Sequence, residues 1–105
     1  MSDKPLAPDN CHSMHEVRAG VDALDAELVA LLSRRFAYMR AAARIKPERE
    51  QVRDEARKAA VIARAAQLAE EMGLPRDMIE SIWEELVEGS IAYELAAWKV
   101  AHKLD

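Results

Sequence analysis

Polar and apolar residues follow a helical period along almost the whole chain. Apolar positions run Val17, Val21, Leu24, Leu28 and Leu31, and the same alternating steps of four and three continue through Arg35, Tyr38, Ala42 and Ile45. That alternation is the seam of a helix packed along its length. A flanking stripe adds Val29, Leu32, Phe36 and Met39. Ser13-Met14-His15-Glu16 matches the S-x-x-E capping box, so the helix is predicted to begin at Ser13. Gly20 inside it costs about 1 kcal/mol relative to Ala, and nothing breaks the pattern before Pro47. A helix of roughly 32 residues is roughly 50 Å long.

Pro47 to Gln51 reads as a charged loop. A second helix is predicted from about Val52 to Met72, with Val61, Ile62, Ala65 and Leu68 on its apolar side and Gly73 as the stop. Pro75 then stands near the start of a third helix, with Asp77 in its first turn and an end near His102. One face of this helix reads Ile79, Trp83, Leu86, Ser90, Tyr93, Ala97; the adjoining one reads Trp83, Val87, Ile91, Glu94, Trp98. No strand pattern or internal repeat interrupts the three. The predicted fold class is all-α, with three helices per chain and a long N-terminal helix. The two shorter helices cover only part of that long stripe. A second copy is expected to cover the rest, giving an intertwined homodimer.

Residues 1–12 are polar and carry Pro5 and Pro8, so they read as a flexible arm rather than a signal peptide, ahead of a helical domain over residues 13–105. No apolar run is long enough for a membrane span. Cys11 is the single cysteine, which fits a reducing cytoplasm, and no base is predicted beside it. His12, His15 and His102 share no metal-ligand spacing, so no metal site is expected. The net charge of −4 conceals an asymmetry: ten Lys or Arg between Arg34 and Arg64 face four acids. The middle of the chain is therefore suited to an anion. Nucleic acid is a poor candidate, because the whole chain is acidic and lacks an aromatic-interleaved basic stretch.

The residues that break the apolar stripes carry the candidate chemistry. Arg35 occupies a seam position, and Lys46 lies eleven residues on, about 20° away around the helix axis and roughly 16 Å along it. Two long cationic side chains at that spacing can converge on one small ligand. Ser90 and Glu94 are i,i+4 neighbours on the mostly buried face of the third helix. Arg57 follows Arg53 by one turn near the start of the second. Arg18 lies roughly 25 Å from Arg35 and roughly 42 Å from Lys46 along the axis, too far to share a pocket with both in one chain. In an antiparallel dimer it approaches the far end of the partner. The alternative is structural: Arg35 paired with an acid such as Glu94, and the other cations lying along helix edges.

The order of these pieces resembles the all-α (type II) chorismate mutases. They read Glu16-Val17-Arg18, Ser33-Arg34-Arg35-Phe36, Arg44-Ile45-Lys46, Val52-Arg53-Asp54-Glu55-Ala56-Arg57 and Ser90-Ile91-Ala92-Tyr93-Glu94, over about residues 11–100. The resemblance implies an intertwined dimer with two active sites and no cofactor. It implies that Arg18 enters the partner's pocket and, with Arg35, holds two substrate carboxylates. Lys46 is implied near the ether oxygen, Arg57 and the Asp54 region at the remainder of the ligand, Ser90 at a carboxylate, and Glu94 facing the ether oxygen. Lys58 departs from the pattern, since the residue after Arg57 is commonly a Glu that binds the substrate hydroxyl. Cys11 ahead of the first helix, the Arg-Arg-Phe-Ala-Tyr run at 34–38, the short loop before Val52 and Trp98 resemble the isochorismate-pyruvate lyase subgroup more closely.

The implied activity is chorismate mutase, the pericyclic conversion of chorismate to prephenate, in which Lys46, Glu94 and Arg35 act on the reacting end. Isochorismate-pyruvate lyase is the alternative within the family, and a non-catalytic helical dimer acting as a binding module is the alternative outside it. A chain of this length leaves no room for a fused dehydratase, dehydrogenase or regulatory domain.

Overall fold

The computed structural model describes residues 4–103, so the first three residues of the expected arm and the last two of the expected domain lie outside it. Among the described residues the regular structure is helical: α1 spans Met14–Ile45, α2 Glu55–Glu71 and α3 Arg76–Ala101, with short 3₁₀ turns at Pro8–Asn10 and Arg49–Gln51. The expected three-helix, all-α architecture is present, and no helix is long and apolar enough to cross a membrane. The chain divides into two compact units, Met1–Arg35 and Phe36–Asp105.

In the first unit, Ser13 Oγ accepts the Glu16 N–H at 3.2 Å, and the Glu16 carboxylate reaches back to the His12 N–H at 2.8 Å. Two N–H groups that the helix start would leave unpaired are thereby satisfied, which is why α1 begins here. Pro5, Leu6, Pro8 and Cys11 of the arm lie along Val17, Gly20 and Val21, and together they line a cleft of about 540 Å³. Gly20 is the point where the arm's backbone comes nearest: an added Cβ would stand 4.0 Å from the Leu6 carbonyl. The seam remains open to water. Val17, Val21, Leu24, Leu28 and Leu31 are each between 39% and 57% exposed. Removing such a stripe from water contributes about 25 cal/mol per Å² of apolar surface, a gain that this chain by itself does not collect.

The second unit contains the core. α2 and α3 pack against each other, and the residues that α2 buries are small: Ala65, Ala66 and Ala69. Alanine at these positions allows close approach of the two helix backbones. α3 buries Val87, Ser90, Glu94 and Trp98. The inward line is therefore the one through Val87, Glu94 and Trp98; Tyr93, placed on the other stripe, is 37% exposed. Ala43 near the end of α1, Val52 after the 3₁₀ turn and Trp98 form a buried cluster, against which Ile91, Leu95 and Ala97 pack.

α2 begins three residues later than the apolar pattern predicts. Asp54 is its N-cap, accepting the Arg57 N–H at 3.0 Å. The preceding Arg49–Gln51 segment forms a 3₁₀ turn with its own capping box between Glu48 and Gln51. Hydrophobic periodicity cannot see either feature, because both are hydrogen-bonding patterns of polar side chains. Gly73 ends the helix connection with a positive φ of 72°, a conformation that glycine adopts without steric cost.

Candidate active site

The C-terminal end of α1 is held on both sides of Lys46. The Lys46 N–H donates to the Ala42 carbonyl at 2.9 Å, and the Lys46 carbonyl accepts the Trp98 indole N–H at 2.9 Å. Trp98 itself is buried and stacks on His102 with ring centroids 4.2 Å apart. The indole thus packs in the core and satisfies a carbonyl that the helix end leaves without an intrahelical donor. A cation at this position also complements the negative end of the helix dipole.

Lys46 Nζ lies 2.7 Å from Glu94 Oε2. The partnership is uneven: the lysine side chain is 30% exposed and the glutamate 6%. One turn earlier on α3, Ser90 is equally buried, and its hydroxyl donates to the Leu86 carbonyl at 2.7 Å. The arrangement is a polar strip on an otherwise apolar helix face, with a cation standing over it. A buried carboxylate requires such a partner, because an unpaired charge away from water is costly. Glu94 thus pairs with Lys46.

The other predicted site residues are distributed as follows. Asp54 and Arg57 sit at the start of α2, where the Asp54 carboxylate is engaged as the helix cap. Arg57 is exposed, and its side chain makes no ion pair among the described residues. Arg18 and Arg35 belong to the first unit, with Arg18 exposed and Arg35 half-buried. The structure therefore brings Lys46 and Glu94 together by a direct contact within the second unit, with Ser90 one turn from Glu94 on α3.

Three polar groupings escaped the reading of the sequence. The Trp98 bond to Lys46 is one. The second is Arg40, whose guanidinium donates to the Tyr93 hydroxyl at 2.6 Å, while Phe36 meets the Tyr93 ring edge-on. The third is a network around Glu88. Arg53 grips Glu88 with two bonds of 2.8 and 3.0 Å, and Lys58 Nζ stands 2.8 Å from both Glu88 and Glu84. Glu84 and Glu88 are spaced i,i+4, which is the one signal in the sequence that could have suggested a shared cation. Lys58, the departure from the family pattern, is thus turned toward α3.

The Arg53 guanidinium, followed by the Lys58 ammonium, holds the Glu88 carboxyl at about 2, below its usual 4.5. Glu88, then Glu55, raises the pKa of Arg53, and Glu84, then Glu88, raises that of Lys58. A carboxyl whose pKa is depressed on folding stabilises the fold above its unfolded pKa, and that contribution fades as pH falls toward the folded value. The thermal midpoint of wild type should therefore exceed that of Glu88→Gln at neutral pH, and the gap should close between about pH 4.5 and about pH 2. A gap that persists unchanged across that window would assign the difference to packing.

The family described as chorismate mutase type II matches residues 17–95, about three quarters of the chain. A protein of Pseudomonas aeruginosa named isochorismate pyruvate lyase is 29% identical over 92 residues, covering 88% of this chain and 91% of that protein.

Proposed function

The chain belongs to the type II chorismate mutase family, and from that premise we propose that it is a chorismate mutase, converting chorismate to prephenate. The observation that carries this reading is Lys46, held at the end of α1 with its ammonium over the buried Ser90–Glu94 strip. The rearrangement breaks a C–O bond and makes a C–C bond within one molecule. It needs the substrate folded into its reactive shape and negative charge stabilised on the departing ether oxygen. Arginines serve the first need, since a guanidinium fork matches a carboxylate with two bonds. Arg18 of one subunit and Arg35 of the other hold the two carboxylates, Arg57 meets the remainder of the ligand with Asp54 at its base, and Lys46 faces the ether oxygen. The exposed seam of α1 supports a homodimer in which the first half of α1 lies against a second copy.

The relative from Pseudomonas aeruginosa favours a second reading. The same clamp acting on isochorismate, a closely related dicarboxylate, would release pyruvate and salicylate. Incubating the protein separately with chorismate and isochorismate tests both readings. Prephenate from chorismate supports the first, salicylate from isochorismate the second, and turnover of neither substrate removes both in favour of a binding module.

Glu94 gives this reading a second test. A carboxylate repels a developing oxyanion, whereas an amide donates a hydrogen bond to it. Glu94→Gln should therefore turn over substrate at least as fast as wild type. A large loss of turnover in Glu94→Gln would take an amide donor away from the reacting oxygen.

A further inference from the structure

Glu88 lies outside the site just described, yet it is joined to the chain on either side of Arg57. Arg53 precedes the Asp54 cap and donates two bonds to the Glu88 carboxylate, while Lys58 follows Arg57 directly and reaches Glu88 and Glu84. Arg53 also pairs with Glu55 at 2.8 Å. Between these anchors Asp54 caps the helix by accepting the Arg57 N–H. Immediately before them Val52 is buried against Trp98 and Ala43. Four of the six residues from Arg53 to Lys58 are thus tied down by side-chain bonds, two of them to the same carboxylate on α3.

We infer that Glu88 is a positioning residue: by clamping Arg53 and Lys58 it fixes the first turn of α2 against α3, and so sets the place from which Arg57 meets the substrate. The inference rests on the function proposed above for Arg57. A helix start is the part of a helix that opens most readily, because its first amides lack intrahelical acceptors. An arginine there loses orientation each time the turn opens. A bidentate carboxylate on a neighbouring helix opposes the opening from both flanks, and charged bonds of this geometry are stronger than neutral ones. Glu88 is half-buried and touches no residue of the Lys46–Glu94 pair in these bonds, so its effect passes through Arg57.

The test pairs amide hydrogen exchange with steady-state kinetics on Glu88→Gln and Glu88→Ala in the full-length protein. Exchange at the Arg57 and Lys58 amides, which donate to the Asp54 carboxylate and carbonyl, should accelerate about tenfold, with the amides of Ala65, Ala66 and Ala69 unchanged. With whichever of chorismate or isochorismate the wild type turns over, KM should rise about five- to tenfold while kcat stays within about twofold, the mark of weakened ground-state and transition-state binding alike. Arg57→Ala should raise KM at least as much, and adding Glu88→Gln to it should change KM no further. Unchanged exchange at the Arg57 and Lys58 amides overturns the inference, as does acceleration spread evenly over α2 and α3. A KM effect that simply adds to that of Arg57→Ala overturns it too. If the wild type turns over neither substrate, the proposed function fails, and the exchange pattern alone decides whether Glu88 holds the turn.

Discussion

Replacing Lys46 by Met is expected to lower kcat by about 10² to 10³, the range found when one preorganised donor to a developing oxyanion is removed. Methionine keeps most of the side chain's length and apolar stem and removes the ammonium. The loss should fall mainly on kcat, because negative charge on the ether oxygen builds up in the transition state and is small in the bound substrate. The substitution also leaves Glu94 buried without its partner at 2.7 Å. An uncompensated buried carboxylate is strongly destabilising unless it takes up a proton. Lys46→Met should therefore unfold at lower temperature than wild type near neutral pH. Double substitution with Glu94→Gln separates the two effects: it should restore thermal stability without restoring turnover. Turnover of Lys46→Met within about threefold of wild type, too little for a lost oxyanion donor, would remove Lys46 from the reacting end.

Arg18→Ala and Arg35→Ala should each abolish nearly all turnover, since each removes a forked contact to a substrate carboxylate. Their mixture should recover activity. If one pocket uses Arg35 of one subunit and Arg18 of the other, a heterodimer of the two variants contains one pocket with both substitutions and one with neither. Half of its pockets, about, are then intact, whatever each homodimer lacks. Co-expression with two affinity tags isolates the heterodimer, and its turnover per subunit is the measurement. Recovery to near half of the wild-type value supports sharing across subunits. Turnover no higher than that of either homodimer would place both arginines of a pocket on one chain.

Much of the candidate site was legible because its residues violate a pattern. Arg35, Lys46, Ser90 and Glu94 interrupt apolar stripes, and an interruption is visible in one dimension. The roles around them were not legible. That Glu94 pairs with Lys46 depends on how α3 meets the end of α1, and helical spacing along either helix does not specify it. Trp98 reads as a core residue in the pattern; that its N–H caps the Lys46 carbonyl follows only once α3 crosses the end of α1. Asp54, assigned to ligand binding by resemblance, serves the backbone as an N-cap in the structure. The start of α2 is set by that hydrogen bond rather than by the apolar repeat that foretold a helix there.

The amino-acid order by itself determined the number of helices, the length of α1, the capping box at Ser13–Glu16 and the break at Pro47. Each is a local consequence of side-chain period, capping chemistry or a missing N–H, acting over a few residues. Tertiary structure alone decided which α3 face turns inward, that Glu94 meets Lys46, and that Lys58 bonds to Glu84 and Glu88. Those outcomes depend on distances of a few ångströms between segments 26 to 48 residues apart, where charge pairing and burial act through space. Periodicity along a single helix contains no information about them.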